Sequence, residues 1–241
     1  MLPILQSEWF KLRKAKIVSV LFTGPLAGFL LGFTIHGDVP EGVNPWHILL
    51  LFMNVIYALL FLPLMTGVLA GLICRYEHQA GGWKQLLTLP VTRGKVFTGK
   101  YIILMALVLF IQLLYLGAVY GVGWAKGFTE PFPLEIVWKS IFGGWIASFP
   151  LVALQLWMSI LFKNFAAPLA VNAVFTLPAI LAVQSERFGP YYPWGQPFLM
   201  MYIGGGDGVF FVPWEQLLLV VGGSFLVFFL GGYIYFQRKA V

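Results

Sequence analysis

Six blocks of apolar residues, separated by polar connections, decide what this chain can fold into. They run Ile17–Phe33, Ile48–Ile73, Tyr101–Val122, Ile141–Leu161, Ala166–Val183 and Leu217–Tyr235. A helix needs roughly 20 mostly apolar residues to cross a bilayer, and each block reaches or approaches that length. Of the 241 residues only 10% are charged and 60% are hydrophobic. Soluble domains carry about 25% charged residues, so too few charges remain to cover a globule. The expected fold is all-α: a polytopic membrane protein of six transmembrane helices, forming a single domain over residues 1–241.

The basic stretch before Ile17 resembles the charged start of a signal peptide. The apolar block after it is longer than a signal core, and no small-residue cleavage site follows, so it reads as a retained first helix. Cys74 is the single cysteine, which excludes an internal disulfide and says little about compartment. With six spans both termini share one side, and twelve of the 15 basic residues fall on that side. Lys126, Lys139 and Arg187 fall on the other, with seven of the nine acids. The positive-inside rule then makes the termini cytoplasmic and the net charge of +6 a topology signal, not a nucleic-acid signal.

Residues 1–16 form an N-terminal segment in which Leu5, Trp9 and Leu12 recur at helical spacing while Lys11, Arg13 and Lys14 lie elsewhere. That pattern suits an interfacial helix whose basic face meets anionic headgroups; a plain positive flank is the simpler reading. Thr34–His47 is a short acidic external loop, and Gly123–Ser140 ends in the interface anchors Trp138 and Lys139. Residues 184–216 are rich in Pro, Gly, Tyr and Trp and long enough to have structure of their own. This external segment admits two readings, re-entry into the outer leaflet or an aromatic belt on its surface.

Within the apolar blocks there is no Asp, Glu, Lys, Arg or His. Ion-coupled transport generally needs such groups at depth. Asn54, Gln112, Gln155 and Asn172 are polar there. They suit either a lining for a translocation path or hydrogen bonds between helices. Gly28/Gly32, Gly67/Gly71 and Gly117/Gly121 are small-xxx-small pairs that would let helices approach closely.

The stretch Gly94–Tyr101, GKVFTGKY, is one residue short of a phosphate-binding loop, with Tyr101 in place of the Ser or Thr that would meet magnesium. Such a loop follows a strand and opens a helix. Here Thr92 is a good N-cap, so a helix starts near Arg93 and carries Gly94 and Gly99 inside it. Arg93, Lys95 and Lys100 then read as cytoplasmic flank charges, not as a nucleotide cradle.

Residues 74–100 make up the second cytoplasmic connection. Trp83, Leu86, Leu87 and Pro90 sit at i, i+3, i+4 and i+7, an apolar stripe on a short helix that Pro90 stops. Lys84 and Gln85 face elsewhere. A short amphipathic helix of this kind either lies on lipid or docks into a groove of a soluble partner.

The run Glu77, Gly82-Trp83-Lys84-Gln85-Leu86-Leu87-Thr88-Leu89-Pro90-Val91-Thr92-Arg93 and Lys100 resembles the coupling segment of ABC-2-type exporter permeases. Ser7–Lys16 is similar to their basic N-terminal segment. The topology matches over the whole chain, closest to the lantibiotic and bacitracin self-protection (immunity) subgroup, although Gly82 stands where many members have Thr. The resemblance implies a permease domain in the cell membrane with no ATPase site and no cofactor of its own. Its partners would be a soluble ABC ATPase subunit, which carries ATP and magnesium, and a second permease chain, identical or related. It assigns coupling to Glu77, Trp83, Lys84, Leu86, Leu87, Pro90 and Arg93, with Glu77 pairing a base such as Arg75 or Arg93. The implied cargo is an antimicrobial peptide or another amphipathic compound, which the net acidic external face would attract if cationic.

Two other classes fit the residues less well. An intramembrane protease or lipid transferase needs a nucleophile and a base at one depth. His36 and His47 lie in one external loop and His78 is cytoplasmic, and neither G-x-S-x-G nor H-E-x-x-H occurs. No metal site is expected from the three scattered histidines and one cysteine. An ion-coupled secondary transporter would lack both its buried charges and a visible inverted repeat.

Overall fold

The computed structural model describes the chain except residues 1, 15–16, 36–41, 80–81, 89, 203–209, 211 and 240–241. Among the described residues every regular element is helical. In chain order these are α1 (Leu2–Lys14), α2 (Ile17–Thr34), α3 (Pro45–Ile56), a π-helical turn (Tyr57–Phe61), α4 (Leu62–His78) and α5 (Gly82–Thr88). Then come α6 (Arg93–Ala125), α7 (Leu134–Leu161), α8 (Ala166–Thr176), α9 (Ala179–Ala182), a 3₁₀ turn (Gly189–Tyr191), α10 (Gln196–Met201) and α11 (Trp214–Arg238).

Among the described residues four continuous helices are long and apolar enough to cross a membrane: Pro45–His78, Arg93–Ala125, Leu134–Leu161 and Trp214–Arg238. The first and fifth apolar blocks of the sequence form shorter apolar helices. Pro178 divides the fifth. Its ring cannot donate a backbone hydrogen bond, and its own carbonyl caps the short turn that follows, accepting from Leu181 and Ala182. Proline also explains the π turn inside Pro45–His78. Pro63 leaves the Leu59 carbonyl without its usual donor, and just before it the Leu62 N–H reaches back five residues to the Tyr57 carbonyl.

α7 is the hub, packed against α4, α6, α10 and α11, while α2 lies along α6. Small residues set these approaches. A Cβ at Gly32 would come within 2.8 Å of Val122, one at Gly67 within 2.2 Å of the Asn172 amide, and one at Gly71 within 2.7 Å of the Phe165 ring. Gly121 touches Phe29 more loosely, and Gly117 faces open space. Two of the three small-residue pairs therefore sit in tight helix contacts.

Part of the Pro- and Gly-rich segment 184–216 folds inward. Gln196 through Met201 are all buried, and Met201 rests beside Gly144 and Gln112, well inside α7 and α6. α1 also differs from its expected pattern. Leu12 and Glu8 are buried and Leu5 packs on the core, whereas Trp9 and Phe10 are exposed. Its inner stripe runs through Leu5, Glu8 and Leu12, seated on α6 where a Cβ at Gly99 would meet Ile4 at 2.9 Å.

Candidate functional site

The connection between α4 and α6 is built on a proper helix start. The Thr92 hydroxyl accepts from the Lys95 N–H at 3.3 Å, so α6 begins at Arg93 as its cap predicts. Gly94 and Gly99 lie within the helix, where the Tyr233 hydroxyl and Ile4 occupy the space a Cβ would need. The Tyr101 hydroxyl donates to the Phe149 carbonyl at 3.2 Å. All three positions serve packing between helices.

Lys100 is not a flank charge. It is fully buried, because its neighbours three and four residues away (Val96, Phe97, Ile103 and Leu104) all face the interior. Its ammonium donates to Glu8 Oε2 at 2.6 Å and to the Ile73 carbonyl at 2.9 Å, and lies 3.1 Å from Glu77 Oε1. Lys11 closes the group, 2.8 Å from Glu8 Oε1 and 2.6 Å from Glu77 Oε1. Two carboxylates and two ammonium groups thus form a neutral knot joining α1, α4 and α6. Glu77 pairs with Lys11 and Lys100, not with Arg75 or Arg93.

Arg93 has a different task. Its guanidinium donates to the carbonyls of Phe236 at 3.3 Å, Gln237 at 3.1 Å and Lys239 at 2.5 Å. These are acceptors that the end of a helix leaves without intrahelical partners, so Arg93 ties the start of α6 to the end of α11.

α5 leans on this knot. Trp83 is buried, packed edge-on against Phe236 with ring centroids 5.1 Å apart. The Lys100 ammonium lies 5.8 Å and that of Lys239 5.9 Å from its ring centroid, within cation–π range. Its indole N–H donates to His78 Nδ1 at 3.3 Å. His78 Nε2 therefore carries the ring proton and donates to the Ser159 carbonyl at 2.7 Å, a link to the end of α7. Leu86 is half-buried against the core, while Lys84, Gln85, Thr88 and Pro90 are exposed; the side chain of Leu87 lies outside the described residues. Trp83 and Leu86 of the stripe face the protein's own helices, Pro90 does not, and the polar side of α5 faces out.

The four uncharged polar residues are buried in two separate clusters. In one, Asn54 donates to the Met201 carbonyl at 2.9 Å and to the Ser140 hydroxyl at 3.0 Å, and accepts from the Tyr115 hydroxyl at 2.8 Å. Tyr115 stacks on Tyr57 of the π turn with centroids 3.6 Å apart, and Gln112 donates to the Ile141 carbonyl at 3.3 Å. In the other, Asn172 Oδ1 accepts from Gln155 at 2.7 Å and from the Trp194 indole at 2.8 Å. Its amide donates to the Pro63 carbonyl at 2.9 Å. Each cluster bonds helices to one another and to the inserted part of segment 184–216, at Met201 in one and Trp194 in the other.

Sequence reading missed Glu8, Lys11 and Lys100. The available signal was Glu8 lying at helical spacing between Leu5 and Leu12; for Lys100 the linear sequence offered none.

A family model described as "ABC-2 family transporter protein" matches residues 4–179. A bacitracin transport permease protein, BCRB, from Bacillus licheniformis is 24% identical over 189 residues, covering 74% of this chain and 88% of that protein. No solved structure matches the chain.

Proposed function

The chain belongs to the ABC-2 family of transporter proteins, and on that premise we propose that it is the membrane permease of an ATP-driven exporter, worked by a separate ATPase through α5. The observation that carries this reading is the mounting of α5. A seven-residue helix exposes Lys84 and Gln85 while Trp83 locks it to α4, α11 and the ion knot. Force applied to the outer face of such a helix passes directly into three long helices and α1. Glu77, Arg93 and Pro90 act here as fixings: one in the knot, one clamping α11, one ending the lever.

The same reading gives the chain six spans. The two shorter apolar helices complete the set; the seventeen residues of Ala166–Ala182 rise about 26 Å, near the roughly 30 Å of a bilayer core. Phe22, Leu26 and Leu30 on α2 and Val174, Leu177 and Leu181 within 166–182 are exposed apolar surface, suited to lipid or to a second permease chain. Both termini and α5 lie on the cytoplasmic side by the positive-inside rule, with α1 at the interface. ATP and magnesium belong to the partner subunit. The cargo is an antimicrobial peptide or a similar amphipathic compound, a reading supported by the likeness to a bacitracin permease.

The test is co-purification from the native host in mild detergent, with bound proteins identified by mass spectrometry. Wild type is expected to bring down a soluble ATPase. Lys84→Glu with Gln85→Glu, both on the exposed face, is expected to lose it while the permease keeps its unfolding temperature. An ATPase retained at wild-type yield by that variant would refute α5 as the contact.

A further inference from the structure

A second cluster of polar groups sits beside the coupling segment without taking part in it. The end of α4, the end of α7 and the start of α8 enclose a cavity of roughly 390 Å³. Arg75 and Lys163 stand at its rim, both exposed, and neither forms an ion pair among the described residues. No acidic side chain among the described residues lines it. Among its lining residues Ser159 is buried to 2% exposure, and its hydroxyl has no hydrogen-bond partner among the described residues. A buried hydroxyl left unpaired costs about 1–3 kcal/mol, which argues that a ligand or solvent atom completes it.

The remaining groups are donors. Asn164 Oδ1 accepts from the Ala167 N–H at 2.8 Å, which leaves its amide N–H groups to point elsewhere, and Gln79 offers another amide. The N-terminus of the eleven-residue α8 opens beside them, adding its partial positive charge. His78 supplies no charge, since both ring nitrogens are engaged with Ser159 and Trp83. One wall is apolar, formed by Phe165 folded onto Gly71, and by buried Pro168.

We propose that this cavity binds a phosphate group, held by Arg75, Lys163 and the Ser159 hydroxyl, and that the phosphate is the headgroup of an anionic phospholipid whose glycerol and chains run along the Phe165 wall. Two cations, a buried hydroxyl and amide donors match the oxygens of a phosphate. The apolar wall would be wasted on a free ion but suits the stem of a lipid. The site lies at the ends of two long apolar helices, where basic pockets between membrane helices meet headgroups. An acidic segment of a soluble protein would satisfy the cations and the hydroxyl but would leave the apolar Phe165 wall unused.

The experiment titrates short-chain phosphatidylglycerol into the detergent-purified full-length chain and follows binding by native mass spectrometry. Saturable binding is expected, weakened about tenfold or more in Arg75→Gln with Lys163→Gln, the size expected when charge-assisted hydrogen bonds are lost. Ser159→Ala, which keeps both charges, is expected to weaken it by a smaller factor. Lys95→Gln with Arg238→Gln removes the same charge outside the cavity and should leave the affinity unchanged. Equal binding by wild type and the Arg75/Lys163 variant, or equal loss in the Lys95/Arg238 variant, would overturn the site. Displacement of the lipid by millimolar inorganic phosphate would keep the phosphate site and overturn the headgroup as its source. If the Arg75/Lys163 variant binds lipid normally but loses its ATPase, the cavity belongs to a protein partner instead.

Discussion

Asn54 and Met201 stand 147 positions apart, yet the Asn54 amide donates to the Met201 carbonyl at 2.9 Å in a site that solvent does not reach. That bond, with Ser140 donating to the same carbonyl at 3.3 Å, holds α10 between the long helices. α10 is thus anchored by one backbone acceptor served by two side chains.

Replacing Asn54 with Leu would strand the Tyr115 hydroxyl and weaken the hold on Met201. The cost expected for unpaired buried groups is about 1–3 kcal/mol. Hydrogen–deuterium exchange is expected to rise over Gln196–Met201 and to stay unchanged over α1. Unaltered protection of α10 would show that its apolar packing alone secures it.

The ion knot is expected to punish single changes more than paired ones. Lys100→Met leaves two buried carboxylates against one ammonium, and breaking a buried pair costs about 3–5 kcal/mol. Adding Glu8→Gln to Lys100→Met restores the charge balance and should return part of that loss. Unfolding temperatures of the two singles and the double, measured in one detergent, form the cycle. Additive losses would mean that the charges do not act as a unit.

Glycines that look alike in sequence are expected to behave differently. At Gly67 an added methyl would meet the Asn172 amide at 2.2 Å, whereas at Gly117 it meets nothing within 4 Å. Gly67→Ala should therefore lower stability by about 1–3 kcal/mol, as overpacking does. Gly117→Ala should be neutral or slightly stabilising, because Ala is the better helix former by about 1 kcal/mol. A thermal-shift comparison of the two proteins decides it.

Arg93→Ala removes the donor that serves three carbonyls at the end of α11. The last turn of that helix is expected to fray, seen as faster amide exchange near Phe236, with the seat of Trp83 loosened through the same residue. Arg93→Lys is expected to rescue little, since one ammonium cannot reproduce the planar fork.

What could be read from sequence was what the neighbouring residues decide. The N-cap at Thr92, the start of α6, the short α5 and the long apolar helices all follow from local patterns of capping and hydropathy. The interruption at Pro178 was equally local, but the apolar run around it hid the break. The contacts that give the chain its particular mechanics are not local. Lys100 sits one residue before an apolar block and counts as a flank on any linear reading, because its anions lie on other helices. Trp83 belongs to an amphipathic stripe whose inner and outer sides only tertiary packing can assign. The segment 184–216 admits re-entry or a surface belt from its sequence alone, and only the bond from Asn54 to Met201 shows that part of it turns inward.

The knot also has a history within each molecule. Glu8 is made 92 residues before Lys100, an interval of about 5–20 s at ordinary rates of synthesis. Until α6 emerges, the newborn chain holds two carboxylates with Lys11 alone between them. α1 therefore completes its seat on the knot only once the start of α6, with Lys100, has been made.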